Sequence, residues 1–178
     1  MITVTKTTKW ELPAILVLYR AAFPHNERKP FSHITSMVKA GRADLWTIRA
    51  EDRFAGFAAT VNSPQIILLD YFAVKKSLRG RGVGSDALEG LMAHYGDRGF
   101  FVEIESTLAD ADNIRERQKR KNFYVNRGMQ PMGTEAYLFG IRMELLGVRC
   151  HLDFVSYRSF YREHYSPWAA EHIREVQT

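Results

Sequence analysis

Ile66-Ile67-Leu68-Leu69-Asp70-Tyr71-Phe72-Ala73-Val74 runs through Lys75-Lys76-Ser77-Leu78 into Arg79-Gly80-Arg81-Gly82-Val83-Gly84-Ser85. The first nine residues are almost continuously apolar and of strand length, the pattern of a strand covered on both faces. Three alternating glycines follow, just before Leu88, Leu91, Met92 and Tyr95 mark an amphipathic helix stopped by Gly96. Such a turn bends tightly and exposes backbone N–H groups. The helix beginning near Gly82 adds roughly half a positive charge at its N-terminus, and Arg79 and Arg81 add full charges beside it. A pyrophosphate suits that turn, with Ser85 offering a hydroxyl. The competing reading is a turn that merely connects, which would not require two arginines.

The rest of the chain organises around this unit. Phe100 to Glu105 reads as a strand, so strand, helix and strand form one right-handed crossover with parallel strands. Upstream, Ile2 to Thr5 alternate, and Thr8-Lys9-Trp10-Glu11 has capping-box spacing ahead of a helix bearing Leu12, Ile15, Leu16, Tyr19 and Phe23. Pro24 ends it before the polar loop His25 to Lys29, and a short helix is expected from Phe31 to Lys39, closed by Gly41. Leu45 to Arg49 and Phe54 to Val61 read as a hairpin about Glu51-Asp52, with a bulge at Gly56. A long helix from Asn113 to Asn126 ends at Gly128, and Ala136 to Val148 is one long strand or two. Beyond Leu152 a stripe of Tyr157, Phe160, Tyr161, Tyr165 and Trp168 is expected to dock on the core or on a partner, making a dimer contact one of its uses. The order argues for one mixed α/β domain over residues 1–178, with an aromatic helical tail at about 152–178.

The 178 residues, 46% hydrophobic, suffice for one core. No apolar run is long enough for a membrane span, and the N-terminus lacks a secretory core, so the expectation is a cytoplasmic protein with no membrane partner. A net charge of +5 and a pI near 9.4 favour an anionic partner. The run Arg115, Arg117, Lys119, Arg120 and Lys121 lacks interleaved aromatic residues, so it reads as a solvated helix face, and no nucleic acid is expected. Cys150 reads as buried filler. The six histidines lack metal-ligand spacing, and Asp110 and Asp112 lack the rest of a calcium loop, so no metal is expected.

Other phosphate motifs fit less well. The Walker A pattern fails because no Gly-Lys-Ser/Thr follows the glycines. Gly82-Val83-Gly84-Ser85-Asp86-Ala87 satisfies the dinucleotide form G-x-G-x-x-A, with Glu103 or Glu105 about 20 residues on. Against it, the glycines follow the strand only after the loop Lys75 to Arg81, and the chain is too short for a second nucleotide-binding half with a substrate domain.

On these residues the sequence resembles the GNAT superfamily of acetyl-CoA-dependent N-acetyltransferases. The signature Arg/Gln-x-x-Gly-x-Gly/Ala is matched by Arg79-Gly80-Arg81-Gly82-Val83-Gly84, after the Ala73-Val74 pair that often ends the family's strand. The later Tyr-x-x-x-Gly-Phe element is matched by Tyr124 to Gly128, with Met129 in place of phenylalanine. The family's usual proline after the Ala-Val pair is Lys75 here, and its Asn-x-x-Ala before the tyrosine is replaced by Arg117 and Arg120. The resemblance implies a central mixed, mostly antiparallel sheet with a parallel pair at the cofactor cleft and helices on both faces. It implies acetyl-CoA as co-substrate, held by Phe72, Ala73, Val74 and Arg79 through Ser85, with the pantetheine arm along Phe72 and Val74. A backbone N–H near Val74 would then stabilise the oxyanion, an interaction worth about 3 kcal/mol in comparable sites.

Transfer to an amine needs a proton acceptor, because an alkyl amine of pKa near 10 is neutral in roughly one molecule per thousand at pH 7. Alternation puts Phe101, Glu103 and Glu105 on one face of their strand. Glu105, nearer the C-terminal end, is the first candidate base, Glu103 the second and Asp70 the third; the alternative is that the glutamates are solvated or paired with Arg115 or Arg117. By resemblance, Tyr124 protonates the departing thiolate, against the plainer reading of a core aromatic. Also by resemblance, the acceptor enters by the first two helices and the loop Pro24 to Pro30, where Glu27 could bind a cation and Arg28 an anion. A small-molecule amine, a protein N-terminus and a lysine all fit as acceptors. The rival from another class is a silent acyl-CoA-binding module on the same fold.

Overall fold

The computed structural model describes residues 1–177; Thr178, the last residue of the expected tail, lies outside them. In chain order the elements are β1 (Ile2–Lys6), α1 (Leu12–Ala22), α2 (Phe31–Lys39), β2 (Ala43–Ala50), β3 (Arg53–Asn62), β4 (Ile66–Val74), α3 (Val83–His94), β5 (Gly99–Glu105), α4 (Ile114–Val125), β6 (Gln130–Leu138), β7 (Ile141–Val148), α5 (Phe154–Phe160), α6 (Pro167–Glu171) and β8 (Ile173–Glu175). The strands are hydrogen-bonded neighbours in the order β1-β2-β3-β4-β5-β7-β6-β8. The sheet is mostly antiparallel, β4 and β5 being its one parallel pair. The chain divides into two compact units, Met1–Asn62 with Leu69–Gly96, and Ser63–Leu68 with the residues from Asp97 onward.

In the first unit, the alternation of β4 sorts its side chains between two apolar clusters. Tyr71 and Ala73 pack with Ile15, Leu18 and Tyr19 of α1, Ile34 of α2, and Leu45, Phe57 and Ala59 of β2 and β3. Val74, with Phe72 against it, packs with Val83 and Ala87 of α3, Ile48 and Ala55. Helices therefore cover both faces here. The capping box forms as its spacing predicts, with the Thr8 N–H donating to the Glu11 carboxylate at 2.8 Å. The β2–β3 turn places Glu51 and Asp52 at φ 50° and 61°, the left-handed pair of a tight hairpin. The bulge lies one residue before the expected glycine: Arg49 pairs with Phe54 and Ile48 with Gly56, leaving Ala55 over. Gly56 has a different task. A Cβ there would collide with the Ala73 carbonyl oxygen and lie 3.1 Å from Val74 Cα. Only glycine lets β3 approach the end of β4 so closely.

In the second unit, β6 and β7 resolve the segment Ala136 to Val148 into two strands turned at Phe139-Gly140, both at positive φ. The aromatic tail docks on this unit's own core. Phe160 lies edge-on to Phe101 at 5.1 Å, and Tyr157, Phe160, Tyr161 and Tyr165 are all buried, whereas Trp168 is exposed. The helical tail is interrupted at Ser166-Pro167, and an unexpected short strand, β8, follows it on β6. Cys150 is packing, with its thiol raised by burial and its side chain seated against Gly99 and Gly147.

Candidate functional site

The glycine-rich turn has the geometry its sequence predicts. Gly80 and Gly82 sit at φ 73° and 81°, the left-handed region that side chains rarely adopt. A Cβ at either would meet nothing within 4 Å, so these glycines serve backbone conformation and not close packing. Gly82 is the N-cap of α3, and the first intrahelical bond runs from Asp86 N–H to Gly82 O at 3.0 Å. The N–H groups of Val83 and Gly84 therefore lie in the first turn, where no helical carbonyl can accept them. Arg79 Nε donates to Val74 O at 3.2 Å, which ties the loop to the last carbonyl of β4. Arg79 and Arg81 are exposed and have no carboxylate partner among the described residues. The turn thus combines first-turn backbone donors, a helix dipole and two exposed arginines, the kinds of group that can hold an anion.

The loop between α1 and α2 is tied to β4. Tyr19 donates to Lys29 O at 3.0 Å, Tyr71 donates to Glu27 O at 3.1 Å, and Lys29 pairs with Asp70 at 2.7 Å. Asp70 is thus committed to an ion pair, and Tyr71 and Asp70 together hold the loop in place. No feature of the sequence singled out Tyr19 and Tyr71 for this task beyond their apolar periodicity.

The second unit holds the remaining candidates. Glu105 is paired with Arg117 at 2.9 Å and Arg120 at 3.3 Å, the pairing weighed against its use as a base. Glu103 accepts a hydrogen bond from Tyr157 at 2.7 Å, so the tail docks on it. Tyr124 is buried at 6% exposure, and burial pushes its phenol up to about 12, partly offset by the nearby Arg120 charge. Its ring meets Phe123 edge-on at 5.0 Å.

The solvated face expected of the basic run is met in part. Arg115, Lys119 and Arg120 are exposed, Arg120 also reaching Glu105, but Arg117 and Lys121 are drawn in against carboxylates. Lys121 pairs with Glu144 at 2.6 Å, and Glu144, 4% exposed, also accepts from the Thr107 N–H at 2.8 Å and its hydroxyl at 2.7 Å. Glu135, directly opposite Glu144 on β6, is neutralised by Arg142 at 2.7 Å and also bonds Ser106. Burial raises the Glu135 carboxyl, but Arg142 and Ser106 outweigh it and the net shift is downward. Tyr124 is the only buried residue of α4, so the helix is held largely by charge. Among the described residues, no group of three His, Cys, Asp or Glu comes together as a metal site, and no helix is long and apolar enough to cross a membrane.

The mixed sheet with its parallel pair, feeding a glycine-rich anion turn at a helix N-terminus, defines an acyltransferase fold of the GNAT type. A model of the acetyltransferase (GNAT) family matches residues 12–124, and the chain belongs to that family, which binds acetyl-CoA. No curated protein matches the sequence. Among solved structures, a GNAT-family protein from Bacteroides thetaiotaomicron superposes with TM-score 0.74 at 18% identity, over 92% of this chain and 98% of its own. The ribosomal-protein-S18-alanine N-acetyltransferase of Escherichia coli gives TM-score 0.63 at 17% identity, over 85% and 96%. An Arabidopsis thaliana protein solved with the bisubstrate analogue CoA-Ac-MVNAL gives 0.64 at 13%, over 83% and 97%. At these identities the likeness is one of fold.

Proposed function

We propose that this protein transfers an acetyl group from acetyl-CoA to a primary amine by direct attack, with no covalent enzyme intermediate. The observation that carries the reading is the Gly80-Arg81-Gly82 turn, with left-handed glycines that space does not require and first-turn N–H groups aimed out of α3. In this reading Arg79, Gly80, Arg81, Gly82, Val83, Gly84 and Ser85 hold the pyrophosphate, and the backbone of Phe72, Ala73 and Val74 aligns the pantetheine arm and its thioester.

Tyr124 serves the departing sulfur. A phenol near 12 is fully protonated at neutral pH, but complete transfer to a thiolate of pKa about 8.5 is uphill, so Tyr124 acts chiefly as a hydrogen-bond donor to the developing charge. The proton acceptor is one of the two glutamates of β5: Glu105 is held by two guanidiniums, which lowers its basicity, and Glu103 accepts from the Tyr157 hydroxyl. The acceptor proposed is a protein N-terminus, supported by fold relatives described as acting on a ribosomal protein or bound to a peptide-bearing analogue; small amines and lysine side chains are its competitors.

One observation favours the silent acyl-CoA-binding reading: both glutamates are engaged within their own unit. Calorimetric titration with coenzyme A tests the part common to both readings. The wild type should bind, and Arg81→Glu should weaken binding roughly ten- to a hundredfold, as charge reversal beside a pyrophosphate requires. Equal binding by the two proteins would remove the turn from the site.

A further inference from the structure

We infer that Arg28 makes the α1–α2 loop a reader of acidic acceptors, binding a carboxylate at the second or third residue of the peptide whose terminal amine is acetylated; this rests on the transfer reading above. Arg28 is half-buried and has no carboxylate partner, and its Nε–H is buried with no acceptor among the described residues. A buried donor without an acceptor is unfavourable, and more so on a charged group. Other cations drawn in from water are answered. Lys29, Arg49, Arg117, Lys121 and Arg142 each reach a carboxylate, and Arg158, which has none, gives its Nε–H to Ala170 O at 3.1 Å. Arg28 has neither answer.

The loop is fastened on both sides of Arg28. Before it, Tyr71 donates to Glu27 O at 3.1 Å; after it, Lys29 pairs with Asp70 at 2.7 Å and its carbonyl accepts from Tyr19 at 3.0 Å. The Arg28 N–H itself closes on His25 O at 3.3 Å. Burial raises the Tyr19 phenol, and the Arg28 guanidinium is near enough for its charge to oppose that rise. Tyr71 stands three residues before Val74 and Asp70 four. That is about 10 to 13 Å of strand, the span of about three extended peptide residues from a thioester held at Val74. The guanidinium is a planar fork of N–H groups that matches the two oxygens of a carboxylate, and turning toward them satisfies the Nε–H and the charge together. A single unpaired cation suits a monoanion; a phosphate dianion would bring a second charge, and the neighbouring Lys29 is committed to Asp70. The α-carboxylate of a free amino acid is one carbon from its amine and does not span the distance, so the carboxylate belongs to a peptide side chain.

The test is thiol release from acetyl-CoA with peptides of one sequence that carry either glutamate or glutamine at position 2 or 3. The wild type should show kcat/KM about tenfold higher for the glutamate peptides, through KM. In Arg28→Met that preference should fall to about one as KM for the glutamate peptides rises, with coenzyme A affinity by calorimetry at the wild-type value. Arg28→Lys, which keeps the charge without the fork, should retain only part of the preference. A wild type that uses both peptides equally, or an Arg28→Met protein that slows both alike, overturns the inference while leaving the transfer reading standing. A preference seen only between free amino acids and their amides would also overturn it, giving Arg28 to an α-carboxylate. A protein that binds coenzyme A but releases no thiol with any peptide would sink the transfer reading and this inference together.

Discussion

Tyr124→Phe is expected to lower kcat about a hundredfold, the usual cost of removing one donor from a developing negative charge, while coenzyme A affinity stays at the wild-type value. The hydroxyl is the only group lost, and the ring continues to fill its place beside Phe123. Because burial pushes the phenol up to about 12, the wild-type rate should rise with pH as the acceptor amine deprotonates, without an alkaline fall-off until pH nears 12. The same shift has a thermodynamic signature. The folded protein holds this proton more tightly than the unfolded chain, whose tyrosines titrate near 10. That contribution to stability is intact below pH 10 and is lost as pH rises toward 12, so Tyr124→Phe should remove part of the alkaline loss. Full turnover by the variant at every pH tested would end the donor role.

The second large effect is on stability. Lys121→Met strips the buried Glu144 of its cation and should cost roughly 3 to 5 kcal/mol in urea unfolding, whereas the double change Lys121→Met with Glu144→Leu should recover most of that loss. The asymmetry follows from the surroundings of Glu144. Two hydrogen bonds from Thr107 suit an ionised carboxylate, but they do not neutralise it, and Glu135 stands directly across the strand pair. If Lys121→Met cost less than about 1 kcal/mol, α4 would be held by something other than this pair.

The charge on α4 also shows where the sequence stops being informative. Strands, the β2–β3 turn, the helix bounded by Phe31 and Lys39, and the glycine-rich turn all announce themselves through local signals: apolar runs, capping spacing, and residues that tolerate left-handed backbone. Those signals act within a few positions of one another, so they survive without knowledge of the fold. Glu144 and Lys121 lie 23 positions apart and Glu103 and Tyr157 lie 54 apart, and no periodicity links either pair. A run of arginines and lysines looks the same whether it faces water or a buried carboxylate, so the sequence does not separate Arg117 and Lys121 from their solvated neighbours. The strand β8 escaped for the opposite reason. Three residues cannot display alternation, and its pairing comes from β6, not from its own composition.

In the candidate site the division is similar. The glycine-rich turn is legible because its left-handed backbone dictates glycine at fixed positions. The acid–base residues are less so, because a glutamate or tyrosine serves equally as catalyst, docking partner or core. Glu103 illustrates this: its place on β5 follows from alternation, but the tail's Tyr157 reaching it does not. The departure at Lys75, which takes the place of a proline in the family pattern, turns a backbone constraint into a charge at a groove beside α1.

The measurement that bears most directly on the central claim is thiol release from acetyl-CoA by the wild-type protein across a panel of acceptors. The panel should contain peptides with different N-terminal residues, free amines and lysine-bearing peptides with blocked N-termini. The account predicts release that depends on an added amine, is fastest with a free peptide N-terminus and is reduced about a hundredfold by Tyr124→Phe. Coenzyme A binding with no amine-dependent release across the whole panel would contradict it and leave a domain that binds the coenzyme without transferring from it.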